Sequence, residues 1–464
     1  MLNSGNTPES VTKDELHRIF QLNISGEDRP LLIFTAISSQ RLTYICNFVF
    51  NHVVGIPYNI THQLDEFKAY TGAKLVYGDL PSDEAFHIPA AHYFIEEKEL
   101  KADFLPPIAK QNGITVLFPF PENPFGFDLF SSVFYFISLY QEWQNFEADE
   151  HGRFELKASL QYRLNEHLHP LVNIWIDRLK QELKGKFPGL AMPEKKFRHI
   201  STIDVDNLYA YKNKGFSRTL LATAKDLLRL DFRNIVNRLN VVSGKIPDPF
   251  DVYSHLIKLS EDTSTPLFFF FLQRSGTKYD RTIDPSTGAF DEVFQLLKKR
   301  NIPFGLHPSY DASRDPSLLE DEAKMIRDLT SANVMISRQH FLRWHVKTTP
   351  AQLEKNGFIA DFSLGFASGA GYRAMTFTPF YYFDFNTNRE GNILMVPFAV
   401  MDGAYFVYSS QSAEKAEDEI MKMASEVKSL NGLFITVFHE RTFFKQLYPG
   451  YGELYNRIQR QLSS

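Results

Sequence analysis

Two carboxylates spaced i, i+2 close the apolar, β-branched run in Ser201-Thr202-Ile203-Asp204-Val205-Asp206-Asn207, and Gly305-Leu306-His307-Pro308-Ser309 follows well downstream. Acidic residues at the point where a strand runs out into a loop are either turn-formers or ligands and bases at the mouth of an α/β barrel. Further strand ends carry Arg338 and His340, then Asp361, and lastly His439 with Glu440. Each has an ordinary alternative: a turn histidine before Pro308, an ion-pair arginine, a packed edge histidine. Spread over the ends of several strands, however, they are the kind of set from which barrel enzymes assemble their active sites.

The elements that must position these residues show a repeating pattern from residue 197 onward: short apolar strand, chemically rich strand end, amphipathic helix. Strands are expected over His199–Asp204, Pro266–Leu272, Ile302–Leu306, Val334–Ile336, Phe358–Phe362, Ala374–Phe377, Asn392–Pro397 and Leu433–Phe438. Between them, Phe290, Val293, Phe294 and Leu297 recur at helical spacing, as do Ile420, Ala424, Val427 and Leu430 before Gly432. Such alternation calls for a parallel sheet. No Gly-x-Gly-x-x-Gly or phosphate-binding loop is present, and Gly365 to Gly371 has the wrong spacing for either, so a barrel is expected rather than an open dinucleotide-binding sheet.

Residues 1–195 read as a separate α/β region of mixed order. Leu31–Phe34, Lys74–Tyr77 and Ile114–Phe118 look like strands; Asp128 is placed to cap a long aromatic helix through Tyr140 and Trp143, and a second helix fits His169 to Leu183. Asp149-Glu150-His151-Gly152-Arg153-Phe154 reads as a solvated connector. The stretch from Lys184 to Lys196, with Gly185, Pro188, Gly189 and Pro193, marks the boundary, giving domains 1–195 and 196–464.

Composition narrows the function classes. A chain of 464 residues, 44% hydrophobic and 23% charged, has ample material for a large core. A formal net charge of -5 with no basic tail argues against a nucleic-acid surface. Cys46 is the only cysteine, so neither an intrachain disulfide nor a thiolate metal cluster can form. The longest apolar block, Leu267 to Leu272, is too short to span a bilayer, and the polar N-terminus lacks a leader pattern, so a cytoplasmic protein is expected.

Thr202-Ile203-Asp204-Val205-Asp206, Gly305-Leu306-His307-Pro308-Ser309, Ser337-Arg338-Gln339-His340-Phe341, Asp361-Phe362-Ser363-Leu364-Gly365-Phe366 and Ile435-Thr436-Val437-Phe438-His439 resemble, in order, the motifs of NodB-like polysaccharide deacetylases of the carbohydrate esterase family 4 type. The resemblance covers roughly residues 197–460. It implies a distorted (β/α) barrel, usually seven-stranded, preceded here by a mixed α/β region similar to an uncharacterised domain found before this barrel in some bacterial proteins. It further implies hydrolysis of an N-acetyl or O-acetyl group on an amino sugar or glycan, assisted by a divalent metal ion, zinc foremost. Asp204 would be the general base, Arg338 its orienting partner, His439 the general acid and Asp361 the carboxylate that tunes it.

The match is uneven at the metal. The family's second opening carboxylate is displaced by one residue, to Asp206; His307 matches the first histidine of the His-x-x-x-His motif, and Asp311 stands in place of the second. The implied ligands are therefore Asp206, His307 and Asp311, with His340 as the alternative third. Two other readings compete. One is a non-catalytic barrel that binds a carbohydrate, motivated by the missing histidine and by the aromatic run Phe380-Tyr381-Tyr382-Phe383. The other is a glycosidase using Asp204 and Asp361 as its carboxylate pair.

Overall fold

The computed structural model describes residues 11–22, 30–91, 95–96 and 103–463. In the N-terminal region, β1 (Leu31–Phe34), β2 (Tyr58–Thr61), β3 (Lys74–Tyr77) and β4 (Phe86–Ile88) form a parallel sheet in the order β2-β1-β3-β4. β5 (Ile108–Gln111) and β6 (Ile114–Leu117) make a separate hairpin. Its two-residue turn is Asn112-Gly113, both at positive φ, the backbone that such tight turns require.

The aromatic helix runs over Leu129–Ile137 with every residue buried, and Asp128 caps it by accepting from Ser131 N at 3.0 Å. The helix does not continue through Trp143 as expected. Leu139 takes a left-handed backbone (φ 56°) and a new short helix, Tyr140–Trp143, begins in another direction. That turn carries Glu142 into a buried two-pronged ion pair with Arg373 (2.8 and 2.6 Å), which ties the N-terminal region to the second half of the chain.

From residue 198 one curled sheet contains β7 (Arg198–Val205), β8 (Leu267–Phe271), β9 (Phe304–Leu306), β10 (Ile336–Ser337), β11 (Ala360–Leu364), β12 (Phe380–Asp384), β13 (Arg389–Pro397), β14 (Val400–Met401) and β15 (Leu433–His439). Their order is β12-β13-β11-β10-β9-β8-β7-β15-β14, parallel except for the β12·β13 pair. β13 pairs with β11 at one side of the sheet, and after two residues β14 pairs with β15 at the other. A single stretch of chain thus draws the two edges of the sheet toward each other.

This curl explains the run of phenylalanines. Phe268 and Phe270 point inward to a cluster with Ile200, Phe362, Val396 and Val437, while Phe269 and Phe271 point outward against the helices. A parallel strand buried on both faces reads as a continuous apolar run. The helix Lys13–Ile19, opened by a Thr12/Glu15 capping box, sends Leu16 and Phe20 into the inward cluster. It sits at the end where the strands start, since Arg198 Nη1 donates to Ile19 O at 2.8 Å. The strand ends that carry Asp204, Asp206 and His307 lie at the opposite end.

One expected strand is absent: Ala374–Phe377 is a turn, with Met375 at φ 52°. Asn173 Oδ1 accepts from Thr376 Oγ1 and Phe377 N at 2.8 and 3.0 Å, and Met375 O accepts from Val172 N, so the helix Leu171–Lys186 captures the backbone groups a ladder would need. The strand forms three residues later, as the antiparallel β12.

Candidate metal centre

The C-terminal ends of β7, β9 and β10 bring Asp206, His307 and His340 together, with one ligand atom from each within 4.8 Å of the others. Asp206 Oδ1 lies 3.4 Å from His307 Nε2 and 3.5 Å from His340 Nε2. On the far side of each ring a fixed oxygen faces Nδ1: Arg338 O at 2.6 Å from His307, and Asp280 Oδ1 at 2.8 Å from His340. A carbonyl can only accept, so His307 carries its proton on Nδ1 and turns the Nε2 lone pair toward Asp206. The Asp280 carboxylate selects the same tautomer in neutral His340. Asp206 Oδ1 is itself buried without a hydrogen-bond partner. Three electron pairs thus converge on one point.

The surrounding charges favour a cation at that point, which in the metal-free site is the Nε2 proton of His340 that a metal ion would displace. Burial works against the charged form of His340, but the carboxylates of Asp206 and Asp280 outweigh it and hold the imidazole up at about 9. Burial likewise works against ionised Asp206, yet Arg441 and His340 keep it well below the usual carboxylate range. Arg441 takes the second oxygen of Asp206, and Glu440 accepts from the backbone N–H groups of Asp206 and Asn207 at 3.1 and 3.2 Å. Burial and the neighbouring Asp206 charge push Glu440 up to about 8.

Beside the cluster, Asp204 is buried and its Oδ1 accepts from Arg338 Nη1 at 2.7 Å. Arg338 is fully buried; its Nε donates to Phe362 O at 2.9 Å and its guanidinium lies 4.6 Å from the Phe270 ring centre. Asp204 Oδ2 faces His307 Nε2 at 4.0 Å. His439 is the direct neighbour of Asp204 across the β7·β15 ladder.

Two sequence-derived placements are corrected. Asp311 is outside the cluster: it sits on the exposed turn Tyr310–Ser313, its side chain 56% exposed and 3.9 Å from Arg343, because the chain coils away immediately after Ser309. His340 occupies the third position. Asp361 does not touch His439. Its oxygens accept from Ser337 Oγ and Ser363 N, both at 2.9 Å, within the curled sheet, and burial pushes its carboxyl up to about 6. The partner of His439 is Asp402, which accepts from the ring Nδ1 at 2.7 Å and from the backbone N–H at 2.8 Å. Burial opposes the charge on both, but their attraction prevails, lowering Asp402 and raising His439.

Asp402 follows Val400-Met401 and so carries the same signal as Asp204, an acid at the end of an apolar run; ending the expected strand at Pro397 hid it. Asp280 lies in an irregular loop after β8 and has no such signal.

The turn Asp149–Phe154 is not a solvated connector. His151 and Arg153 are buried: His151 Nδ1 meets Tyr310 Oη at 2.9 Å, Arg153 donates to Phe341 O at 2.9 Å, and Arg343 donates to His151 O at 2.9 Å. Tyr279 stacks on Tyr310 with centroids 4.1 Å apart, and Phe341 abuts both His151 and His340. Phe341 and Leu342 both take left-handed backbone (φ 59° and 53°), a strained arrangement held in place by the Arg153 contact. The N-terminal region thereby braces the aromatic wall that Tyr279, Tyr310 and Phe341 form on one side of the centre.

Residues 31–188 match DUF7033, a family of unknown function. No curated protein matches the chain. Among solved structures, a Mycobacterium smegmatis protein provisionally named a polysaccharide deacetylase is similar at 12% identity, over 59% of this chain and 87% of that one, with a TM-score of 0.38. BA3943 of Bacillus anthracis, a CE4 family pseudoenzyme, is similar at 9% identity over 58% of this chain and 61% of its own, with a TM-score of 0.29. A BA3943 mutant with restored enzymatic activity is similar at 10% identity, over 58% and 64%, with a TM-score of 0.27. This chain therefore spans less than two thirds of BA3943.

Proposed function

We propose that the protein is a metal-dependent hydrolase that removes an acetyl group from an amino sugar or glycan, with Asp204 as general base and His439 as general acid. The observation that carries this reading is the convergence of the Nε2 atoms of His307 and His340 on the unpartnered Oδ1 of Asp206. Two imidazoles and a carboxylate suit zinc and leave a position open, as catalytic rather than structural sites require. A divalent ion held by Asp206, His307 and His340 would supply polarisation of an acetyl carbonyl and a more acidic water.

The chain's own groups supply the rest. Arg338 occupies Asp204 Oδ1 and keeps the carboxylate fixed in direction, leaving Oδ2 turned toward the cluster to take a proton. Asp402 orients His439 through Nδ1, which leaves Nε2 to protonate a departing amine. The aromatic wall of Tyr279, Tyr310 and Phe341 offers faces on which a sugar ring can stack.

The competing readings fare less well. Asp361 is engaged within the curled sheet and does not pair with Asp204 across a groove. Phe380 and Phe383 are buried against Phe48 and Phe134 of the N-terminal region, so that run is packing rather than a stacking platform.

The test is acetate release from a panel of acetylated amino sugars and oligosaccharides with zinc supplied, comparing wild type with Asp204→Asn. The substitution keeps size but cannot accept the water's proton, so activity should vanish while zinc binding persists. Zinc binding without acetate release from any substrate would favour the non-catalytic alternative.

A further inference from the structure

Between β7 and β8 the chain inserts a helical hairpin, Phe216–Leu228 followed by Phe232–Val242, that is built inside out. Its internal contacts are polar: Asp226 accepts from Arg238 Nη2 at 2.5 Å and from Asn234 Nδ2 at 2.8 Å. Its large apolar side chains face solvent instead. Phe216 and Leu228 are 85% and 86% exposed and Leu221 and Leu230 are both 72% exposed, with Leu220 and Leu227 on the same side of the first helix. Phe232, Val236, Leu239 and Val242 repeat the pattern on the second helix, each more than half exposed. Scattered exposed leucines are normal, whereas a contiguous apolar face of this kind marks a surface made to be covered.

The charge on this insert indicates what covers it. Residues 212–246 carry eight lysines and arginines against two aspartates, in a chain whose overall charge is -5. Asp226 is spent on Arg238 and Asp231 caps the second helix, while Arg218, Arg229 and Arg233 are exposed beside the apolar face. Aliphatic and aromatic side chains edged by cations, with acidic residues scarce, are the pattern of helices that lie in the headgroup region of an anionic bilayer. No helix among the described residues is long and apolar enough to cross a membrane, so the contact would be peripheral.

The hairpin is rigidly tied to the mouth of the barrel. Asp248 clamps its base by accepting from the backbone N–H groups of Ala210, Tyr211 and Lys212 at 2.8, 2.8 and 3.0 Å. Lys214 bonds Asn207, the neighbour of Asp206, and Asn237 bonds Gln446 at 3.0 Å. We infer that the Phe216–Val242 hairpin docks the protein on an anionic lipid surface and holds the strand ends that carry Asp206 at headgroup level. This docking stands independently of the reaction catalysed.

Flotation of the full-length protein with vesicles of phosphatidylglycerol and phosphatidylethanolamine, against phosphatidylcholine alone, tests the inference. Wild type should float with the anionic vesicles and be released by salt. R218Q/R229Q/R233Q should weaken partitioning on the order of a hundredfold, given the usual contribution of each basic residue near such a surface. L221S/L228S/L230S, altered only at side chains at least 72% exposed, should lose it while keeping the wild-type thermal melt. Failure of wild type to float with anionic vesicles at low salt would overturn the proposal. A concentration-dependent dimer abolished by the serine substitutions, without vesicle binding, would assign the face to a second copy of the chain instead.

Discussion

Asp280 offers the sharpest test of the metal centre, because it bears on the cluster through His340 and is not itself one of the three ligands. Its Oδ1 accepts from the ring Nδ1 at 2.8 Å and from Tyr310 N at 3.0 Å, while Thr277 Oγ1 donates to Oδ2 at 2.7 Å. In Asp280→Asn the two donors to Oδ1 keep the amide oxygen in place, so the Nδ1–H tautomer survives and only the negative charge behind the imidazole is lost. In Asp280→Ala the ring loses its anchor altogether, and nothing holds Nε2 toward Asp206. Removing such an outer partner costs about 10–100-fold in metal affinity, so the asparagine variant belongs near the lower figure and the alanine variant near the upper. Those factors correspond to about 1.4 and 2.7 kcal/mol of binding free energy. Competition for zinc against a chromophoric chelator at pH 7.5 measures them directly, with His340→Gln as the limiting case. An alanine variant that binds zinc as tightly as wild type would refute the role of Asp280. A His340→Gln variant that did so would remove the centre itself.

Four further outcomes follow from the same structure. His439→Ala should slow acetate release by about 10²–10⁴-fold, the usual contribution of a general acid. Because Asp402 raises His439, Asp402→Asn should move the alkaline limb of the pH–rate profile to lower pH, and an unmoved limb would disprove the pairing's role. Asp361 is raised by burial to about 6, so between about pH 4 and 6 the folded state holds its proton while the unfolded chain has lost it. Stability attributable to this group is complete below pH ~4 and lost as pH rises through about 6, an upper bound of about 3 kcal/mol. Urea unfolding should therefore show Asp361→Asn gaining on wild type between pH 4.5 and 7.5, and a difference independent of pH would contradict the buried carboxyl. Finally, Glu142→Ala leaves Arg373 buried without its ion pair and should cost about 3–5 kcal/mol, whereas Glu142→Met with Arg373→Met should be far closer to wild type. Equal losses in the two variants would show that the pair does more than neutralise itself.

The sequence by itself determined which strands end in polar, potentially reactive side chains. Apolar runs with a polar terminus are local patterns, and the parallel register of the sheet gathers their ends on one side, so the positions of Asp204, Asp206, His307, Arg338, His340 and His439 at strand ends were legible. The helix stripe of Phe290, Val293, Phe294 and Leu297 was legible for the same reason, since its period is a property of the chain alone. What only the tertiary structure decided was pairing between elements distant in sequence. Asp311 has the spacing of a ligand, but the turn after Ser309 points it to solvent. Asp402 reaches His439 because the stretch through β13 and β14 crosses from one edge of the sheet to the other. Asn173 unmakes the strand at Ala374–Phe377 by taking its hydrogen bonds, and the turn around His151 braces the aromatic wall of the centre because Arg153 and Arg343 lock it to the loop that follows β10. These contacts depend on where separate elements meet, which no window of neighbouring residues records.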